Sequence, residues 1–353
     1  MRTSLLAAFV AASLLAGCGG GGSSAPAPLP NTPQGSSLSP QDVAQSATTA
    51  AFSSVDTGEA DAAVLNGSLG TASQSRGTQS LGFTCRHRRS RTVTVNPDNS
   101  ITVETIDYYD NACTQVERDA VAIHTVAGGT ETVKRTVTTF NQAHLQLGVR
   151  KATYTLTGSK SNGAWTVTSA FYAGTSTTPL SQYGHAASLN AATYAATTAR
   201  IVNDAKPSVN ASYGHQVATA ATVTTDASND TTFAGARNGT FFKGALNALT
   251  LSAAPPFTIS GGTQIATSAL TGSVTFGPDG DLLSVTLNGT LASGNTLAVS
   301  TTTANNTVTI NGTITSPTNA PVATFATDED GNGVLTLASG TQVPIVDWHV
   351  IWS

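Results

Sequence analysis

The sequence predicts a mainly β body, a strongly curved antiparallel sheet or barrel(s) with glycine kinks, behind a short N-terminal helical segment. Three observations carry this. From about residue 80 onward apolar residues alternate with Thr, as at Tyr154 and Leu156, Trp165 and Val167, Val274 and Phe276, and Leu335 and Leu337. That is the period of half-buried antiparallel strands. No convincing long amphipathic helix follows residue 80, although the Ala-rich stretch 186–200 reads equally as strand or helix. Finally, the pattern Leu/Ile, Asn/Thr, Gly, Ser/Thr recurs at 156–159, 270–273, 287–290 and 310–313. Asn-Gly between apolar runs ordinarily signals a tight hairpin, but parity opposes it here. Val285, Leu287, Gly289 and Leu291 share one face of a continuous strand, as do Val308, Ile310, Gly312 and Ile314. A hairpin at Asn311-Gly312 would send Ile314 to the polar face. The glycines are therefore read as inward kinks that bend or close a sheet, with turns at 277–280, 293–295, 304–305 and 330–331.

The chain opens with Arg2, an apolar run over 5–15 and the small residues Ala16 and Gly17 before Cys18. The run has signal-peptide length and falls short of the ~20 residues a helix needs to span a bilayer. Leu15-Ala16-Gly17-Cys18 resembles the lipobox of bacterial lipoproteins. The resemblance implies cleavage before Cys18 and a mature N-terminus carrying acyl chains, two or more of which anchor stably where one does not. The bland reading is an ordinary secretory signal with a coincidental cysteine. Gly19, where retained lipoproteins commonly carry Asp, points to the outer membrane. Residues 18–38 follow as a flexible Gly/Ser/Pro tether.

Ser39-Pro40-Gln41-Asp42 marks a helix start, with an N-cap Ser, Pro at N1 and an acidic N3. Val43, Ala47, Ala50 and Ala51 make a weak apolar stripe, and 59–65 reads as a second short helix stopped by Asn66-Gly67. The expected division is thus a signal over 1–17, the tether, a short helical lead-in over 39–78, a disulfide-clipped β region over 79–225 and a barrel-like region over 226–353.

Cys85 and Cys113 form the expected disulfide. The stretch 91–110 reads as a hairpin in which Val95 faces Ile101. That register places Arg89 near Asp107, Arg91 near Glu104 or Thr105, and Cys85 within a pleat of Cys113. Closing the loop between them contributes roughly 3–4 kcal/mol in the chain-entropy picture. The basic cluster Arg86, His87, Arg88, Arg89 and Arg91 is then either a strand face answered by carboxylates or an anion-binding patch.

Charged residues are only 10% of the 353, with a net charge of −4, so nucleic acid is excluded as an expected partner. Nucleophile-elbow, zinc-protease, phosphate-loop and dinucleotide motifs are absent, and no catalytic residues are assigned. Tyr183-Gly184-His185 repeats as Tyr213-Gly214-His215, either half of a histidine metal site or a repeated strand ending. Asp328, Asp330 and Asn332 with Gly333 match positions 1, 3, 5 and 6 of a calcium loop, but position 12 is Ser339, which supplies no carboxylate. Calcium at these three residues is the one cofactor the sequence suggests, and a plain hairpin turn is the alternative.

With its lipobox, tether and glycine-rich β body, the chain is loosely similar to Gram-negative surface lipoproteins with β-barrel domains. The Gly-Phe-Tyr-Gly-Pro signature of the transferrin-binding and factor H-binding lipoproteins is absent. The expectation is an outer-membrane, lipid-anchored, non-enzymatic binding or structural module. Its partners would be the membrane, through the anchor, and an unknown protein, glycan or lipid. The alternatives are a carrier of a hydrophobic ligand and an exported hydrolase.

Overall fold

The computed structural model describes residues 38–66, 81–86, 88–159, 162–203, 212–245, 249–278, 280–291, 294–304 and 307–352, without the side chains of 66 and 81–86. The lipobox, Cys18, the tether and His87 lie outside the described residues.

One helix, α1 (Pro40–Asn66), precedes the sheet strands β1 (Leu81–Arg86), β2 (Arg89–Val95), β3 (Ile101–Tyr108), β4 (Val116–Ala127), β5 (Thr130–Phe140) and β6 (Gln146–Gly158). These are followed by β7 (Asn162–Ala173), β8 (Ser181–Asn190), β9 (Thr193–Asn203), β10 (Ser212–Thr225) and β11 (Thr231–Gly244). A separate ribbon, β12 (Thr250–Leu251) and β13 (Ile259–Ser260), interrupts the run. The sheet resumes with β14 (Thr263–Phe276), β15 (Leu282–Thr290), β16 (Thr296–Ala304), β17 (Thr307–Thr315) and β18 (Pro321–Thr327). It ends with β19 (Gly333–Leu337), β20 (Gln342–Val346) and β21 (His349–Val350).

The nineteen sheet strands form one antiparallel meander. Each pairs with its neighbours in sequence, and β11 passes over the ribbon to pair with β14. The ladder is continuous across the expected boundary at 225, where Thr225 opposes Thr231.

The strand content follows the period-two pattern, and 186–200 resolves into the end of β8 and most of β9. The expected barrel or strongly curved sheet is corrected. Among the described residues β1 pairs only with β2 and β21 only with β20, so the sheet is a single open ladder with two edges. Two of the expected kink glycines do not act as kinks. Gly289 and Gly312 do sit inside continuous strands on the buried face, but with ordinary extended backbone, so they do not kink it. Gly312 instead admits the ring of Phe325 opposite, and Gly289 admits the backbone of β14 at Ala269 and Leu270. They relieve crowding between neighbours. They do not turn the sheet.

The register of the first hairpin is as read: Val95 opposes Ile101, Arg89 opposes Asp107 and Arg91 opposes Thr105. The chain reverses before it, however, with Arg88 at φ 61°. Cys85 therefore lies on β1 alongside β2 and not in line with the hairpin. Cys113 is disulfide-bonded, while the side chain of Cys85 lies outside the described residues, so no Cys85–Cys113 bond is described.

The helical lead-in is also corrected. Pro40–Asn66 is one 27-residue helix, capped where Asp42 N–H donates to Ser39 Oγ at 3.1 Å, and it is the centre of the core. From Asp42 to Val64 every residue except Glu59 is buried. Its Ala, Ser and Thr side chains are small enough for the sheet to approach closely. Two of its buried hydroxyls are answered within the helix, Thr48 donating to Ala44 O at 2.9 Å and Ser54 to Ala50 O at 2.8 Å. Phe52 supplies the bulk, its ring 5.2 Å from that of Phe325 and 5.5 Å from that of Trp348. Gly58 leaves space for Phe276. No described helix is long and apolar enough to cross a membrane.

Candidate functional site: a buried ionic seam along the helix

Burying the carboxylates of α1 is tolerable only if each meets donors or cations from the sheet, and each does. Asp42 accepts from Tyr213 Oη and, at 2.7 Å, from Lys243 Nζ. Asp56 is held between Arg150 and Arg200. Glu59 meets Arg135 at 3.4 Å and Arg118 at 3.5 Å. Asp61, 1% exposed, accepts from Trp165 Nε1 at 2.5 Å, His185 Nε2 at 2.8 Å and Tyr194 Oη. The C-terminus joins the seam: Asp347 pairs with Arg150 Nε at 2.8 Å and Trp352 Nε1 donates to Gln45 Oε1 at 2.5 Å.

The electrostatics follow. Burial pushes Glu59 upward, but Arg118, Arg135 and Arg150 more than offset it and hold the carboxyl below its ordinary range. Asp42 is likewise pulled down against burial by Lys243, Tyr213 and Ser39. Burial, with the charge of Asp61, drives the phenols of Tyr183 and Tyr194 upward. Burial, with Arg200 and Arg150 nearby, keeps His349 neutral.

Two hydroxyl–imidazole pairs have the connectivity of a nucleophile and its base. Ser181 Oγ lies 2.5 Å from His349 Nε2, and Thr198 Oγ1 lies 2.9 Å from His185 Nδ1, whose other nitrogen faces Asp61. Each of these hydroxyls and imidazoles is at most 3% exposed, and His349 is stacked on Phe171 at 4.1 Å. The His185 pair positions the helix on the sheet through Asp61, and the His349 pair joins β8 to β21.

The repeated Tyr-Gly-His segments fall on β8 and β10, either side of β9. Their Tyr and His side chains are buried beside the seam. The glycines between them receive the ribbon on the other face, Gly184 taking the ring of Phe257 and Gly214 the side chain of Ile259.

At one end of the seam a cavity of about 30 Å³ is lined by Glu59, Arg89, Arg118, Asp281, Glu329 and Asp330, among others. Arg89 spans from Asp107 at 2.5 Å to Asp281 at 3.2 Å, and Arg88 donates to the Tyr109 carbonyl at 3.4 Å. Arg88 and Arg89 of the basic cluster are thus answered by acceptors, whereas Arg91 Nε is buried without one and the side chains of Arg86 and His87 lie outside the described residues. The calcium candidates are drawn into the turn. Asp328 Oδ1 accepts the N–H groups of Asp330 and Asn332 at 3.1 and 2.7 Å, Asp330 pairs with Arg118, and Asn332 Oδ1 accepts Asp347 N–H at 3.1 Å. Among the described residues no group of three His, Cys, Asp or Glu can hold a metal ion. Burial pushes Asp330 up to about 7 against the pull of Arg118, and burial with Asp328 pushes Glu117 up to about 7.

Sequence reasoning missed the helix carboxylates and their arginines. A signal existed for the arginines: Arg118, Arg150 and Arg200 share parity with Ala120, Ala152 and Thr198, on the buried face of their strands. No protein-family model and no curated protein matches the chain.

Proposed function

We propose that the chain is an exported, non-enzymatic binding or structural module, held at the outer membrane by acyl chains on Cys18 and spaced from it by the tether over 18–38. The observation that carries this reading is the position of α1. It covers the inner face of the sheet and engages the buried ionisable groups there, leaving the outer face and loop ends to meet a partner. That outer face is rich in Thr, Ala, Ser and Asn, with Thr132, Thr155 and Thr166 aligned across β5, β6 and β7. Such a surface suits neutral, hydrogen-bonding ligands better than charged ones. The carrier reading is disfavoured because the space beside Gly312 is taken by Phe325 and that beside Gly289 by β14.

Two measurements test the proposal. Detergent partitioning of cells should place the parent chain in the detergent phase and Cys18→Ser in the aqueous phase or unprocessed; identical partitioning overturns the anchor. Native mass spectrometry of the Cys18→Ser chain should show protein without lipid, and a stoichiometric lipid adduct would overturn the module reading in favour of a carrier.

A further inference from the structure

Arg89 and Arg118 tie the first strands of the open sheet to its last turns. Arg89 on β2 reaches Asp281 in the β14–β15 turn at 3.2 Å, and Arg118 on β4 pairs with Asp330 in the β18–β19 turn. The ladder itself runs from β1 through β2, β3 and β4 to β5. Among the described residues no register joins β1–β4 to β14–β21, so side chains make the closure across that gap.

Glu117 stands at this closure because β4 carries a bulge. Tyr108 opposes Val116 and Asp107 opposes Arg118, which leaves Glu117 as the extra residue. A bulge bends its strand and re-aims a side chain. Among the described residues no hydrogen bond or ion pair answers the Glu117 carboxyl. The strongest charges acting on it are Asp328, Asp107 and Glu329, of like sign, and Arg88, of opposite sign. Tyr109 faces it from the β3–β4 connection.

The surroundings hold more carboxyls than guanidiniums. Glu59, Asp281, Glu329 and Asp330 line the cavity of about 30 Å³ together with Arg89 and Arg118. Asp107, Glu117 and Asp328 add to them against Arg88. Arg135 and Arg150 act on Glu59, and Asp347 acts on Arg118. Arg89 is already held by Asp107 at 2.5 Å. Each guanidinium at the closure is thus engaged, and Glu117 and Glu329 have none of their own. Like charges gathered in a partly buried place repel unless one takes a proton. Burial, with Asp328, accordingly pushes Glu117 up to about 7, and burial, with Asp281, pushes Glu329 upward.

We infer that the Arg89–Asp281 and Arg118–Asp330 pairs form a pH-sensitive clasp, closed over the cavity when Glu117 is protonated and slackened when Glu117 is charged. Slackening moves β1–β4 away from the β14–β15 and β18–β19 turns and opens the cavity beside Val55 and Trp348. The device does not depend on how the chain is anchored. Once the strands part, Glu117 returns toward its ordinary value of 4.5, so the closed form binds the proton more tightly than the open one. Closure is fully favoured below 4.5 and loses that advantage as pH rises to about 7.

The test is a distance measurement by double electron–electron resonance on the full chain carrying Cys18→Ser. Spin labels go on Gln115→Cys, in the β3–β4 connection, and Ala326→Cys, on β18, both exposed positions. The fraction of molecules at the longer distance should rise about tenfold between pH 5 and pH 8. Glu117→Gln, which cannot ionise, should keep the pH 5 distribution at both values. One unchanged distribution at both pH values with Glu117 present, or the same response in Glu117→Gln, would overturn the inference.

Discussion

Gly312 on β17 lies directly opposite Phe325 on β18, and the phenyl ring fills the space that a Cβ at position 312 would need. Gly312→Val should therefore destabilise by about 1–3 kcal/mol through overpacking. The swap of Asn311-Gly312 to Gly-Asn should cost a similar ~1–3 kcal/mol, by burying an amide against the ring. Denaturant midpoints measure both, and an unchanged midpoint for the swap would contradict the packing described.

Asp61 gathers donors from three strands, so its loss leaves Trp165, His185 and Tyr194 unanswered in the core. Asp61→Ala should cost about 3–5 kcal/mol, the range for breaking a buried charge network. Asp61→Asn, which keeps one acceptor oxygen, should cost less. Chemical denaturation of the two variants gives the order, and equal costs would count against the three-donor geometry.

Glu117 titrates at about 7 in the folded protein against 4.5 as its ordinary value. Between these values the folded state binds the extra proton, so this group's contribution to stability falls as pH rises from 4.5 to 7. Glu117→Gln should gain stability relative to the parent across that window and change no further above it. His215 acts in the opposite sense: burial and Arg200 lower it to about 3 from 6.5, so its contribution is lost as pH falls below 6.5. Thermal midpoints of parent and Glu117→Gln from pH 4 to 8 isolate the first effect. A pH-independent difference would contradict it.

The ribbon is held on the outer face by Phe257 over Gly184 and Ile259 over Gly214. Gly184→Val should lift it locally, raising the proteolysis rate across 250–260 by about tenfold or more while the sheet stays folded. Unchanged cleavage would mean that the ribbon is held elsewhere.

The strands were legible because alternation with Thr survives to the end of the chain, and the β2–β3 register followed from one turn. Edge pairing was not legible, since a glycine that admits Phe325 looks in sequence like one that bends a strand. The helix was half legible. Ser39-Pro40 gave its start, but a stripe of Val43, Ala47, Ala50 and Ala51 understates a helix buried all round by Ala, Ser and Thr. Its buried carboxylates Asp56 and Glu59 were not legible, because the partners Arg118, Arg150 and Arg200 lie about 60 to 145 residues away in sequence. The Tyr-Gly-His repeat was visible, whereas the ribbon that explains its glycine was not.

The central claim is that α1 is a permanent core element clamped to the sheet by the ionic seam. Native-state amide hydrogen exchange of the full chain tests it most directly. Amides from Ala44 to Val64 should exchange only through global unfolding, with the same opening free energy as the most protected amides of β8–β11. Rapid exchange throughout the helix while those strands remain protected would contradict the account.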